Sequence, residues 1–174
     1  MKQSLETDRL IIRPMMESDF DSYLTYAQDI QVMAFIREVG TVEEIREHFN
    51  GYMGTWKGEE NIWMGAAVTL KESRALIGDI GFRYRDKASE IIEIGYKFNR
   101  HYHGCGYGYE AMEAFVELIK QGWPVHKLVA YADPENTASV RLMEKLGLKK
   151  EGHFASHYKL GNRWTDEVAY GLVV

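Results

Sequence analysis

Cysteine is almost missing from this chain. Only Cys105 occurs in 174 residues, so no internal disulfide framework is available, and the usage fits a reducing cytosol. The six histidines show no ligand spacing, and with no second cysteine a structural zinc site is not expected; no metal is assigned. Long hydrophobic runs are lacking too. No stretch approaches the roughly 18 apolar residues of a membrane span, and MKQSLETDRL has no apolar core of signal-peptide length. The expectation is a cytoplasmic protein with no membrane partner. Positive charge is not in excess: 21 Lys and Arg face 26 Asp and Glu, for a net charge of -5 with the signs interspersed. That balance gives no electrostatic footprint for nucleic acid. With three prolines and no repeats or low-complexity tracts, the chain also has no linker, and residues 1–174 read as one domain with a substantial core.

The periodicities that are present alternate between two and 3.6. RLIIR, residues 9–13, reads as a first strand stopped by Pro14. Ser18 and Asp21 read as a capping pair before the stripe Phe20, Tyr23, Leu24 and Ala27, a first helix. Residues 29–40 are irregular but carry Val32, Met33, Phe35 and Ile36, which suits either core packing or a pocket wall. Thr41 and Glu44 form a capping box for a second helix with the stripe Val42, Ile45, Phe49, Tyr52, Met53 and Trp56, ending near Gly58. Three alternating runs then follow, from Ile62, from Leu76 and from Ile91, joined by tight turns as an antiparallel meander.

The most informative stretch is IIEIGYKFNRHYHGCGYGYEAMEAF, residues 91–115. A strand, a turn with Gly104, Gly106 and Gly108, and a helix follow one another directly. Glycines let backbone N–H groups converge, and a helix entrance offers unpaired N–H groups and a positive dipole end. The pattern reads as a phosphate cradle built from the N–H groups of His103, Gly104, Cys105, Gly106, Tyr107 and Gly108, although glycines also serve close strand–helix packing. KLVAYA, residues 127–132, is a strand reached through a helix, as a parallel crossover requires. Asn136 is placed to cap a further helix that stops at Gly147, and the β-rich remainder turns at Gly161-Asn162.

In this order the pieces resemble the GNAT family of N-acetyltransferases. HGCGYG, residues 103–108, is similar to the family's Gln/Arg-x-x-Gly-x-Gly/Ala acetyl-CoA motif except at its first position, where His103 stands. NTASVRLMEKLG, residues 136–147, is similar to its Asn-x-x-Ser/Ala element. With TDRLIIRP at the start and EIGY at 93–96, the likeness is greatest to the branch that acetylates ribosomal-protein N-termini. The resemblance implies an α/β (α+β) fold: a central mixed, mostly antiparallel twisted sheet of six to seven strands, with about four helices on both faces. It also implies acetyl-CoA as cosubstrate, coenzyme A as product and a protein N-terminal amine as acceptor. A polyamine or aminoglycoside-like small amine, and a catalytically weak acyl-CoA-binding module, are the alternatives. Homodimerisation is left open.

The resemblance further places backbone groups of Tyr96 and Phe98 on the pantetheine arm, with Asn136, Ser139 and Arg141 near the cofactor. Met143 stands where many members carry a tyrosine that protonates the leaving thiolate; a thioether cannot donate, so Ser139 is the expected hydrogen-bond donor to sulfur. Glu93, a carboxylate in an apolar strand, is the expected base; the alternative is that it pairs with a cross-strand cation such as Arg83. Phe35, Tyr84 and Tyr158 are candidate substrate contacts, each with a core role as the alternative.

Overall fold

The computed structural model describes residues 4–54 and 56–174. Its strands are β1 (Leu5–Glu6), β2 (Leu10–Arg13), β3 (Met64–Leu70), β4 (Leu76–Asp86), β5 (Ile91–Phe98), β6 (Lys127–Ala132), β7 (Lys149–Leu160) and β8 (Arg163–Val173). The helices are α1 (Phe20–Ala27), α2 (Ile30–Met33), α3 (Val42–Met53), α4 (Tyr107–Gly122) and α5 (Thr137–Lys145). One sheet of eight strands runs β1-β2-β3-β4-β5-β6-β8-β7, antiparallel throughout except between β5 and β6. The sheet therefore exceeds the expected six to seven strands. β1 spans two residues, too short for alternation to register in the sequence, and one-turn α2 adds a helix for the same reason.

Each face of the sheet is covered by a different pair of helices. Ala111, Met112, Phe115, Val116 and Ile119 of α4, with Met143 of α5, pack on Ile80, Phe82, Ile92, Ile94 and Leu128. On the opposite face, Phe20, Tyr23 and Tyr26 of α1 and Ile45 and Phe49 of α3 close over Ala67 and Leu76. A register shift between Val68 and Thr69 interrupts the alternation of the β3–β4 pair, which sends Leu76 to the second layer and Ile77 to the first.

Local chemistry explains the helix ends. The Thr41 capping box forms as expected, with Glu44 N–H donating to Thr41 Oγ1 at 3.2 Å and Thr41 N–H to Glu44 Oε2 at 2.8 Å. The expected Ser18–Asp21 cap does not form. A 3-10 turn over Glu17–Asp19 precedes α1, and Asp19 there accepts from Met16 N–H at 2.8 Å and from both Arg13 Nη atoms at 2.7 Å. Helix α3 stops at Gly54, before the expected Gly58, which frees Trp56 to pack its ring on Phe82 in the other layer.

The parallel β5–β6 pair determines where a site can open. Its register covers Ile91 with Lys127, Ile92 with Leu128 and Glu93 with Val129, and β5 continues to Phe98 without β6. Asn99 N–H donates to Ile77 O at 2.9 Å beside the Phe98–Gly78 pair. Antiparallel alternation then directs the backbone groups of Lys97 and Gly95 to β4, and those of Ile94, Tyr96 and Phe98 into the gap.

Candidate functional site

Three constructions meet at this gap: the loop into α4, the start of α5 and the α2 wall. Gly104 and Gly106 have φ of 75° and 82°, left-handed values that an L side chain adopts only under strain. Gly106 is the N-cap of α4, so the loop hands directly over to the helix's unpaired N–H groups. A Cβ on Gly104 would meet nothing within 4 Å, which leaves the mouth of the cradle open. Gly108 lies against Phe98 Cε2 and Leu142 Cδ2, each 3.5 Å from where its Cβ would sit.

Residues of the first strand region brace this loop, a role not singled out from the sequence. Glu110, in the first turn of α4, accepts from Thr7 Oγ1 at 2.6 Å, Arg9 N–H at 2.8 Å and Arg9 Nε at 2.6 Å. Arg9 Nη1 also donates to Cys105 O at 3.1 Å, and the guanidinium stacks 4.4 Å from the Tyr107 ring centre. TDRL was visible as a motif, but only the fold brings it to Glu110.

A continuous cleft of about 920 Å³ runs from this loop across the end of β5 to α2 and α3. It gathers most of the expected residues: Glu93, Tyr96, Phe98, His103, Gly104, Gly106, Tyr107, Gly108, Asn136, Ser139, Phe35 and Tyr158. Three expected residues lie elsewhere. Tyr84 is core: 3% exposed, stacked on Trp56 at 6.0 Å and donating its phenol to Pro124 O at 3.0 Å. Arg141 is on the exposed side of α5, whereas Ala138, Ser139 and Leu142 turn to the cleft. The exposed Cys105 directs its thiol to His103 O at 3.6 Å, so only its backbone is available to the cradle. His103 turns its ring back, Nε2 lying 2.9 Å from Phe98 O, and its N–H donates to Arg100 O at 3.1 Å, so it braces the loop instead of adding the expected N–H to the cradle.

At the α5 side, Ser139 N–H donates to Asn136 Oδ1 at 3.2 Å, the expected cap. The Ser139 hydroxyl lies 2.9 Å from the Tyr96 phenol, which also donates to Ser139 O at 3.2 Å. Burial pushes the phenol up to about 12, against the smaller opposing effect of Ser139. Met143, at the position where the family often has tyrosine, is wholly buried in the core.

Glu93 pairs with Arg83, as the alternative reading had it: Oε2 is 2.8 Å from Arg83 Nη2 and 3.0 Å from Nε, with Arg85 Nε at 3.5 Å. All three contacts fall on one oxygen. Glu167 of β8, not anticipated from the sequence, also lines the cleft. Burial first, and the Glu93 charge after it, push its carboxyl up, while His157, 3.6 Å away, draws it down. Its place in an alternating strand gave no signal, because proximity to Glu93 arises only through sheet order.

Beyond Glu93 the cleft floor is aromatic and then polar. Trp63 lies over Gly95, where a Cβ would come 2.9 Å from its Cη2, and the Arg83 guanidinium lies over its ring at 4.8 Å. Next along β5, buried Lys97 lies 3.4 Å from Asp79 Oδ1 and donates to the Tyr23 hydroxyl at 3.1 Å; Tyr26 donates to Asp79 at 2.9 Å. Burial pushes the Asp79 carboxyl up and the Lys97 ammonium down, and their mutual attraction opposes both shifts. Among the described residues no group of three or more His, Cys, Asp or Glu is placed to hold a metal ion.

Comparison with known proteins agrees with this geometry. The family profile described as "Acetyltransferase (GNAT) domain" matches residues 9–149. The uncharacterized N-acetyltransferase YnaD of Bacillus subtilis is 34% identical over 170 residues, covering 97% of this chain and 96% of that protein. The crystal structure of a GNAT-family acetyltransferase from Bacillus anthracis superposes with a TM-score of 0.87 at 32% identity, over 98% of each chain. The [ribosomal protein uS5]-alanine N-acetyltransferase of Escherichia coli is 24% identical over 98% of this chain and 91% of its own.

Proposed function

The chain belongs to the GNAT acetyltransferase family, and from that premise we propose that its acceptor is the α-amine of a peptide or protein N-terminus. Acetyl transfer from acetyl-CoA to an amine is the family's activity. The observation that carries the finer reading is the continuity of the cleft, which extends past the end of β5 as a trough along α2 and α3 and has room for an extended chain end beyond the reacting amine. Likeness to a ribosomal-protein alanine acetyltransferase supports the same class.

The site fits the cosubstrate. Left-handed Gly104 and Gly106 and the unpaired N–H groups entering α4 suit a diphosphate, and the gap-facing backbone of Ile94 and Tyr96 suits an amide-bearing arm. Bound there, acetyl-CoA supplies an acetyl group activated as a thioester. Arg9, Thr7 and Glu110 keep the cradle in shape. Ser139 would donate its hydroxyl hydrogen to the departing sulfur, with the Tyr96 phenol, protonated at neutral pH, behind it as the larger reservoir.

At the amine, Glu93, paired with Arg83, orients the ammonium group; Glu167, whose carboxyl is pushed up, takes the proton before attack. An α-amine, with a reference pKa of about 8, demands far less of that base than a lysine near 10.4.

The test is thiol release from acetyl-CoA with short peptides of varied first residue, the same peptides with blocked N-termini, polyamines and aminoglycosides. Release with free but not blocked peptides is expected. Release confined to the small amines would overturn the N-terminal assignment.

A further inference from the structure

The acceptor half of the cleft carries an unmatched positive charge. Arg37 lines it and is half-buried, yet among the described residues its side chain has no hydrogen bond or ion-pair partner. Its charge is felt by Tyr23 and by Asp79, Lys97, His48 and Tyr52, which line the same cleft. The one carboxylate there, Asp79, already faces Lys97. His48 is held neutral by burial, which brings it down to about 4. Glu38, next in sequence, turns instead to Gly161. A chain with net charge -5 thus keeps a cation without a counter-ion in the cleft, which costs desolvation unless something anionic joins it.

Resting on the N-terminal acetyltransferase reading, we propose that Arg37 receives a carboxylate of the acceptor, so that the preferred substrate is a peptide with an acidic side chain shortly after its N-terminus. The two ends of the cleft are complementary to such a chain. Glu93 and Glu167 face the amine, and Arg37 lines the same cleft and acts electrostatically on Lys97 and Asp79 at the far end. Glu93 and Lys97 are four residues apart on β5, a span of about 13 Å by strand rise. The amine and carboxylate of a free α-amino acid are much too close to bridge it. An extended peptide, advancing about 3.3 Å per residue, brings an Asp or Glu at its second to fourth position within reach of the long arginine side chain. Trp63, which lines the cleft over Gly95 between these ends, offers an apolar surface to the residue in between.

The experiment compares kcat/KM for peptides bearing Asp or Asn at position two, three or four, and for free amino acids and their amides, in the wild type, Arg37→Gln and Arg37→Lys. The expected result is a preference of at least about ten-fold for Asp over Asn at one position, corresponding to about 1.4 kcal/mol, lost in Arg37→Gln and partly kept in Arg37→Lys. Equal kcat/KM for Asp and Asn peptides in the wild type, a preference that survives Arg37→Gln, or a preference confined to free amino acids would overturn the proposal. Should no probe release thiol, the acetyltransferase reading has failed separately. Calorimetric titration of the same peptides into the protein with coenzyme A then decides: Asp-selective binding abolished in Arg37→Gln supports the proposal, and unselective or absent binding overturns it.

Discussion

The Tyr96 phenol and the Ser139 hydroxyl lie 2.9 Å apart, joining β5 to the first turn of α5 across the opening between the parted strands. Neither is the tyrosine that the family often uses, whose position is taken by buried Met143. If the pair stabilises the departing sulfur, Ser139→Ala lowers kcat by about ten- to a hundred-fold while the acetyl-CoA dissociation constant changes by no more than about three-fold. Tyr96→Phe lowers kcat as well, and the double variant is little slower than the slower single, because the two hydroxyls act as one unit. Stopped-flow thiol release with calorimetry measures both quantities. Unchanged kcat in both singles would remove the pair from the mechanism.

With Glu167 as the proposed base, the pH dependence follows from its carboxyl. A base works only when deprotonated, and burial raises its carboxyl, so kcat/KM falls with decreasing pH from a higher point than an ordinary glutamate would give. Glu167→Gln lowers kcat/KM and removes that limb, leaving the ionisation of the acceptor amine itself. Glu93→Gln raises KM for the acceptor more than it lowers kcat. A pH profile with the acid limb intact in Glu167→Gln would assign the proton elsewhere.

The cradle separates stability from binding. Gly106→Ala forces a side chain to φ of 82° and costs about 1 to 2 kcal/mol in urea unfolding, with weaker acetyl-CoA binding. Gly108→Ala is helical, and its new Cβ makes only ordinary contacts at 3.5 Å, so it gains up to about 1 kcal/mol of stability. Destabilisation by Gly108→Ala would show that the Phe98 and Leu142 contacts cannot give.

Much of this was readable in the chain itself. The meander, the parallel crossover, the Thr41 and Asn136 caps and the glycine loop all follow from local periodicity and turn chemistry, which act within a few residues. The partners of those elements were less accessible. Glu110 meets Thr7 and Arg9 from about a hundred positions away, and Glu167 nears Glu93 only because β8 pairs with β6. Tyr84 illustrates the reverse error. Its aromatic character suits pocket and core equally, and the choice depends on α3 ending early enough for Trp56 to cross over and stack on it. Arg141 sat in a matching motif, but its turn of α5 faces solvent.

The buried Asp79–Lys97 pair under the acceptor trough is coupled rather than additive. Removing one member, as in Asp79→Asn, strands a buried ammonium and costs about 3 kcal/mol or more, whereas Asp79→Asn with Lys97→Met costs less than either single change alone. Chemical denaturation of the four proteins measures the coupling. Additive losses would mean that the two groups do not depend on each other.

The central claim is tested most directly by following backbone amide resonances while acetyl-CoA is added. The account predicts that the largest shifts fall on Gly104 to Tyr109 and on Ile94 and Tyr96, with the exposed Trp164 hairpin unaffected. Shifts concentrated away from the α4 entrance, or none at saturating acetyl-CoA, would contradict it.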